Sequence, residues 1–126
     1  MKIILDTNFL IIPAQFKIDI FKEMKKFSPK IFTFDVCIDE LKRVAKSKGR
    51  KGTQAKISLD LLENKGIKVI KTREKNADRA ILKYVKMVKQ EETLSVATND
   101  RKLIKKLKNN GIRVIRLRQK KYLVMV

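Results

Sequence analysis

Histidine is absent from the 126 residues of this chain, and cysteine occurs once, at Cys37. The first absence removes the usual imidazole base, the Ser-His-Asp triad, a ribonuclease built on a histidine pair and every His-bearing zinc site. The second removes an internal disulfide and a cysteine-rich zinc site. Tryptophan is missing too, which argues against a basic amphipathic helix anchored in a membrane surface. No apolar run approaches the ~20 residues of a membrane span; the longest is Phe9 to Ala14. The N-terminus lacks the basic start and small-residue cleavage site of a signal peptide, so a cytoplasmic protein is expected. Acids are scarce as well: 13 Asp and Glu stand against 32 Lys and Arg, a formal charge of +19. An enzyme made from this set works with carboxylates, hydroxyls, lysines or a metal held by oxygen.

What is abundant is positive charge, and its excess points to a polyanionic partner, nucleic acid before a membrane. Lys-rich compositional bias usually raises Glu alongside Lys, whereas here the excess is one-sided. The cations also cluster. Residues 42, 43, 46, 48, 50, 51 and 56 are basic with no acid between them, and no acid follows Asp100. Lys48, Arg50 and Lys51 fall in a predicted flexible loop, KGRKG, suited to tracking phosphates. Arg101, Arg116, Arg118, Lys120 and Lys121 form a second set, with Tyr122 offering a stacking face. For any single lysine a solvated face is the simpler reading; as segments, the runs point to nucleic acid.

Short apolar strands alternate with helical segments. The patterns predict strands over Lys2–Asp6, Ile31–Cys37, Ile67–Lys71, Thr93–Ala97 and Ile112–Leu117. Helices are predicted over Asn8–Gln15 (interrupted by Pro13), Asp19–Phe27, Ile38–Ser47, Thr53–Asn64, Asn76–Gln90 and Arg101–Asn109. Leu123–Val126 reads as an edge or a tail. Wholly apolar strands separated by helices imply a parallel sheet covered on both faces. The expectation is one α/β domain over residues 1–126, three-layered, with a five-stranded parallel sheet.

Such sheets build their sites at the carboxyl ends of strands. Asp6 follows the first strand in ILDTN, and Asp100 follows another in VATNDRKL. Glu40 and Asp78 fall in the first turns of helices, and at ~100° per residue each flanks its helix's apolar stripe. If the first strand lies beside the one ending at Ala97, all four acids converge on one cleft. Two charges ~4 Å apart repel by ~4 kcal/mol at an effective dielectric of 20. Lysines or a hard divalent cation must offset that, and all-oxygen ligands suit Mg²⁺ or Mn²⁺. With a basic surface around it, the site points to metal-assisted phosphodiester hydrolysis. Singly, each acid has a structural reading: Asp6 and Asp100 as helix caps, Asp78 as a partner of a helix dipole, Glu40 as an ordinary first-turn residue. Asp39, beside Glu40, and Asp35, inside its strand, are rival ligands. Asp19, Glu23, Asp60, Glu63, Glu91 and Glu92 read as solvated helix faces or ends.

ILDTNFLI, Glu40, ADRAIL around Asp78 and VATNDRKL around Asp100 together resemble a PIN-domain nuclease over nearly the whole chain. The resemblance implies strand order 3-2-1-4-5, with the first and fourth strands adjacent. It implies that Asp6, Glu40, Asp78 and Asp100 hold Mg²⁺ or Mn²⁺, and that Thr98 and Asn8 orient ligands or water. The implied activity is single-strand-favouring endoribonuclease cleavage, with in-line attack of water on phosphorus leaving 5′-phosphate and 3′-hydroxyl ends. Within the family, IRVIRLRQKKYLVMV and TNDRKL look like the archaeal and eukaryotic small-subunit rRNA-processing branch, and the charge agrees with ribosomal RNA. The VapC-type toxin branch, which implies an antitoxin partner, is the alternative; a non-catalytic RNA-binding module is a third reading. PIN-like proteins often pair, and the apolar helix face between Ile57 and Leu62 suits either a homodimer or the core.

Overall fold

The computed structural model describes residues 2–28, 30–88 and 93–126. Met1 and Pro29, the last two residues of the predicted Asn76–Gln90 helix, and Glu91 and Glu92 lie outside the described residues. Elements run in the order β1 (Lys2–Leu5), α1 (Thr7–Leu10), α2 (Ile12–Phe16), α3 (Ile20–Lys25), β2 (Lys30–Phe34), α4 (Asp35–Ala45), α5 (Arg50–Lys65), β3 (Lys68–Ile70), α6 (Ala77–Val88), β4 (Leu94–Ala97), α7 (Arg101–Asn109), β5 (Arg113–Arg118) and β6 (Tyr122–Met125). One sheet has the order β3-β2-β1-β4-β5-β6.

The first five strands follow the expected 3-2-1-4-5 order and are parallel to their neighbours. The sheet has six strands rather than five, however. Residues predicted as an edge or tail form β6, antiparallel to β5. The connecting turn is the reason the hairpin escaped sequence reading. Lys121 N–H donates to the Arg118 carbonyl at 3.1 Å, across two residues, Gln119 and Lys120, at φ 54° and 55°. That left-handed pair usually carries Asn-Gly or another glycine signal, and RQKK has none.

β1 and β4 are the sheet's centre. Ile3, Ile4 and Leu5 are fully buried, and β4 is buried along its length, as expected of parallel strands covered on both faces. Their register pairs Leu5 with Ala97, and the Asp6 amide extends the ladder to the Ala97 carbonyl at 3.1 Å. Asp6 and Thr98 are therefore the next residues out on adjacent strands. Buried Thr33 on β2 donates to the Leu5 carbonyl at 2.9 Å, satisfying a backbone acceptor on the other side.

Two predicted boundaries move. The IFTFDVC strand ends at Phe34, and Asp35 opens α4 rather than lying inside a strand. Its Oδ1 accepts from Val36 N at 2.8 Å and from Thr72 N at 3.1 Å, so this carboxylate ties the start of α4 to the chain leaving β3. Arg50 and Lys51 likewise belong to the first turn of α5 instead of a loop. The face of α5 that packs inward is Gly52, Ala55, Ser58 and Leu62. Ile57 points out and is 46% exposed, so the predicted pairing face splits between core and surface. No helix among the described residues is long and apolar enough to cross a membrane.

Candidate active site

Asp6 is the N-cap of α1: its Oδ1 accepts from Thr7 N at 2.8 Å. Its Oδ2 accepts from Thr98 Oγ1 at 2.8 Å, across 92 residues of sequence. Thr98 is fully buried, and its Oγ1 also accepts from the Asp100 amide at 3.1 Å. One hydroxyl thus links the ends of β1 and β4. Asp6 itself is 3% exposed. Burial pushes its carboxyl up from 3.8 to about 6, against the opposing effect of the Thr98 and Thr7 hydrogen bonds; the nearby Asp78 and Asp100 charges raise it further.

Asp100 caps α7, its Oδ1 accepting from Lys102 N at 2.9 Å and Leu103 N at 3.2 Å. This capping engages one oxygen, so the structural and the functional readings of Asp100 are compatible. Asp78 is in the first turn of α6, where Asn76 does the capping through an Oδ1 that accepts from Arg79 N at 2.9 Å. Burial raises the Asp78 carboxyl, the Asp100 charge adds to that, Lys106 lowers it, and Glu40 raises it. Glu40 is in the second turn of α4 rather than the first, because that helix starts at Asp35. Its Oε2 accepts from Thr7 Oγ1 at 2.7 Å and its Oε1 from Ala77 N at 3.2 Å.

All four predicted acids line one cleft of about 420 Å³, together with Thr7, Asn8, Asn76, Ala77, Arg79 and Lys106. Asn8 is exposed at its rim. Thr98 lies behind Asp6 as its support. Asp35 and Asp39 are not among the lining residues, Asp35 being engaged with backbone amides and Asp39 exposed. Thr7, Arg79 and Lys106 were not singled out from sequence. Thr7 sits inside LDTN and was the one open to inference. Lys106 lines the cleft from α7 and its charge acts on Asp78 of α6, a relation that exists only once the two helices are placed.

The donor set is oxygen throughout, and neighbouring carboxylate charges help to raise Asp6 and Asp78, which is the unfavourable charge a divalent cation offsets. Among the described residues no three acidic, cysteine or histidine side chains stand close enough to hold an ion unaided. Mg²⁺ does not require such a cage, since it commonly takes one or two carboxylates, several waters and substrate phosphate. The residues present fit that mode of binding. The basic positions stand at the surface: Lys48, Arg50, Lys51, Arg101, Arg118, Lys120 and Lys121 are exposed, and Arg116 is half-buried.

A family described as PIN like domain matches residues 3–120. The chain is 38% identical over 125 residues to Ribonuclease VapC4 of Methanocaldococcus jannaschii, covering 96% of this chain and 93% of that protein. Its fold is similar to that of the PIN domain endonuclease Utp24, with a TM-score of 0.76 at 23% identity, covering 98% of this chain and 90% of the other. A domain of a functionally unknown protein from Methanocaldococcus jannaschii is similar at a TM-score of 0.65 and 21% identity, covering 93% and 91%.

Proposed function

Because the chain belongs to the PIN-like domain family, we propose that it is a metal-dependent endoribonuclease. The observation that carries this reading is the convergence of Asp6, Glu40, Asp78 and Asp100, from four separate elements, on one cleft. One or two of these four carboxylates, with waters and substrate phosphate, would hold Mg²⁺ or Mn²⁺, and the others would complete the acidic wall. The bound cation would supply charge neutralisation and Lewis acidity toward a phosphodiester.

The chain's own residues do the positioning. Thr98 holds Asp6 and Thr7 holds Glu40, so each carboxylate keeps a free lone pair aimed by a fixed hydrogen bond. Lys106 and Arg79, at the cleft wall, would orient the substrate phosphate by charge, and Asn8 at the rim would contact ribose or water. Hydrolysis would leave 5′-phosphate and 3′-hydroxyl ends.

Ribosomal RNA is the substrate favoured by the basic C-terminal stretch and by TNDRKL. The VapC-type branch, with an antitoxin partner, is a second reading favoured by the identity to Ribonuclease VapC4. Growth arrest on expression and an adjacent antitoxin gene would decide for the second.

Cleavage of single-stranded RNA with Mn²⁺ tests the main reading. Asp6→Asn and Asp100→Asn should each lower the rate by at least about 100-fold while RNA binding persists. An Asn at 100 can still cap α7, so loss of activity there is not loss of the helix. A wild-type chain that cuts no RNA with either metal would sink the proposal in favour of a non-catalytic RNA-binding module.

A further inference from the structure

A second cleft, of about 520 Å³, is lined by Arg101, Ile104, Lys105, Lys108, Asn109 and Arg116. Four of these six side chains are cationic and none is acidic. Positions 101, 104, 105 and 108 make one stripe along α7, while Asp100 and Lys106 of the same segment face the carboxylate cleft. The helix is therefore the wall between the two. On the floor, Arg116 follows Ile115, whose register partner is Ala97, so it stands level with Thr98 and at the same end of the sheet as Asp6.

Arg116 also carries an unmet need. Its Nε is buried without a hydrogen-bond partner, and its neighbours in the cleft are cations and an amide. Among the described residues no ion pair neutralises Arg101, Lys105, Lys108 or Arg116. A buried donor left unpaired destabilises the fold, and four uncompensated cations repel. An anionic acceptor relieves both. The stripe from 101 to 108 extends ~10 Å at 1.5 Å per residue, which suits successive phosphates of a chain better than one compact anion.

Resting on the RNA-cleaving reading above, we infer that this groove holds the phosphate backbone of the RNA strand flanking the bond cut in the neighbouring cleft. Arg116 is the anchor, through its buried Nε, and Arg101, Lys105 and Lys108 neutralise the phosphates that follow.

The test uses the full chain carrying Asp6→Asn, so that RNA stays intact, and follows fluorescence anisotropy of a labelled single-stranded RNA across a KCl series. Lys105→Gln with Lys108→Gln should weaken binding and reduce the slope of log affinity against log salt by ~1.4, or ~0.7 for each of two phosphates. Lys22→Gln with Lys86→Gln removes the same formal charge from exposed positions elsewhere and should leave the slope unchanged. Arg116→Met should weaken RNA binding while the thermal midpoint holds or rises, which a purely structural arginine would not do. Groove variants that match the Lys22 and Lys86 control would overturn the inference and leave the nuclease reading standing. Groove effects in a chain whose wild type cuts no RNA would do the reverse. A chain that binds no RNA sinks both.

Discussion

Asp6 combines three jobs that a surface carboxylate rarely combines: helix cap, partner of a buried threonine, and wall of a cleft shared with other acids. Its ionisation carries a definite sign. The folded carboxyl titrates at about 6 instead of 3.8, so the folded state keeps a proton that the unfolded chain gives up. The contribution of Asp6 to stability is complete below pH ~4 and is lost as pH rises through about 6, a change of about 3 kcal/mol. In chelator-treated protein, Asp6→Asn should therefore raise the thermal midpoint at pH 7.5 by several degrees and leave it nearly unchanged at pH 4. Calorimetry of both proteins across that range checks this; a constant difference would remove the buried charge from the account. Saturating Mn²⁺ should narrow the gap at pH 7.5 by stabilising only the chain that keeps Asp6.

At the scale of elements, the site depends on where helices begin. α4 starts at Asp35 because that carboxylate bonds its own next amide and Thr72 N, which puts Glu40 one turn deeper and within reach of Thr7 and Ala77. The β5–β6 hairpin shows the opposite relation, an element formed despite its turn. Gln119 adopts a left-handed conformation that costs a non-glycine residue ~1–2 kcal/mol. Leu123, 8% exposed, and four strand pairs from Ile115–Met125 to Arg118–Tyr122 outweigh that cost. Gln119→Gly should stabilise the fold by about 1 kcal/mol, read as a rise of a few degrees in thermal midpoint. Lys120 is better left alone, because its ammonium sits 5.7 Å from the Phe16 ring centre. A lower midpoint would show that the turn is not strained.

The whole molecule separates attraction from chemistry. Under the proposed function, a net charge of +19 would draw RNA toward a cleft whose own carboxylates would repel it. Chelation should consequently abolish cleavage while leaving RNA binding as tight or nearly so, with a steep fall in affinity as salt rises. Filter binding and a cleavage assay on the same EDTA-treated sample would decide it; loss of both together would mean that the metal, and not the lysines, holds the RNA. Much of this was legible along the chain. The missing histidines left carboxylates, hydroxyls, lysines or a metal held by oxygen, and the apolar runs before Asp6 and before Thr98 marked both as strand ends, because hydrophobic period and helix-stop signals are local. Asp39 and Asp35 stayed open as rivals for the same reason: spacing places residues on an element without saying where that element goes. Sheet order and crossovers set that, and they bring Thr98 to Asp6, Thr7 to Glu40, and Lys106 and Arg79 to the cleft wall. They also turn Val124 and its neighbours into an antiparallel sixth strand that no turn motif announced. Contacts between residues 92 positions apart arise from the packing of a central sheet, and only the folded chain contains them.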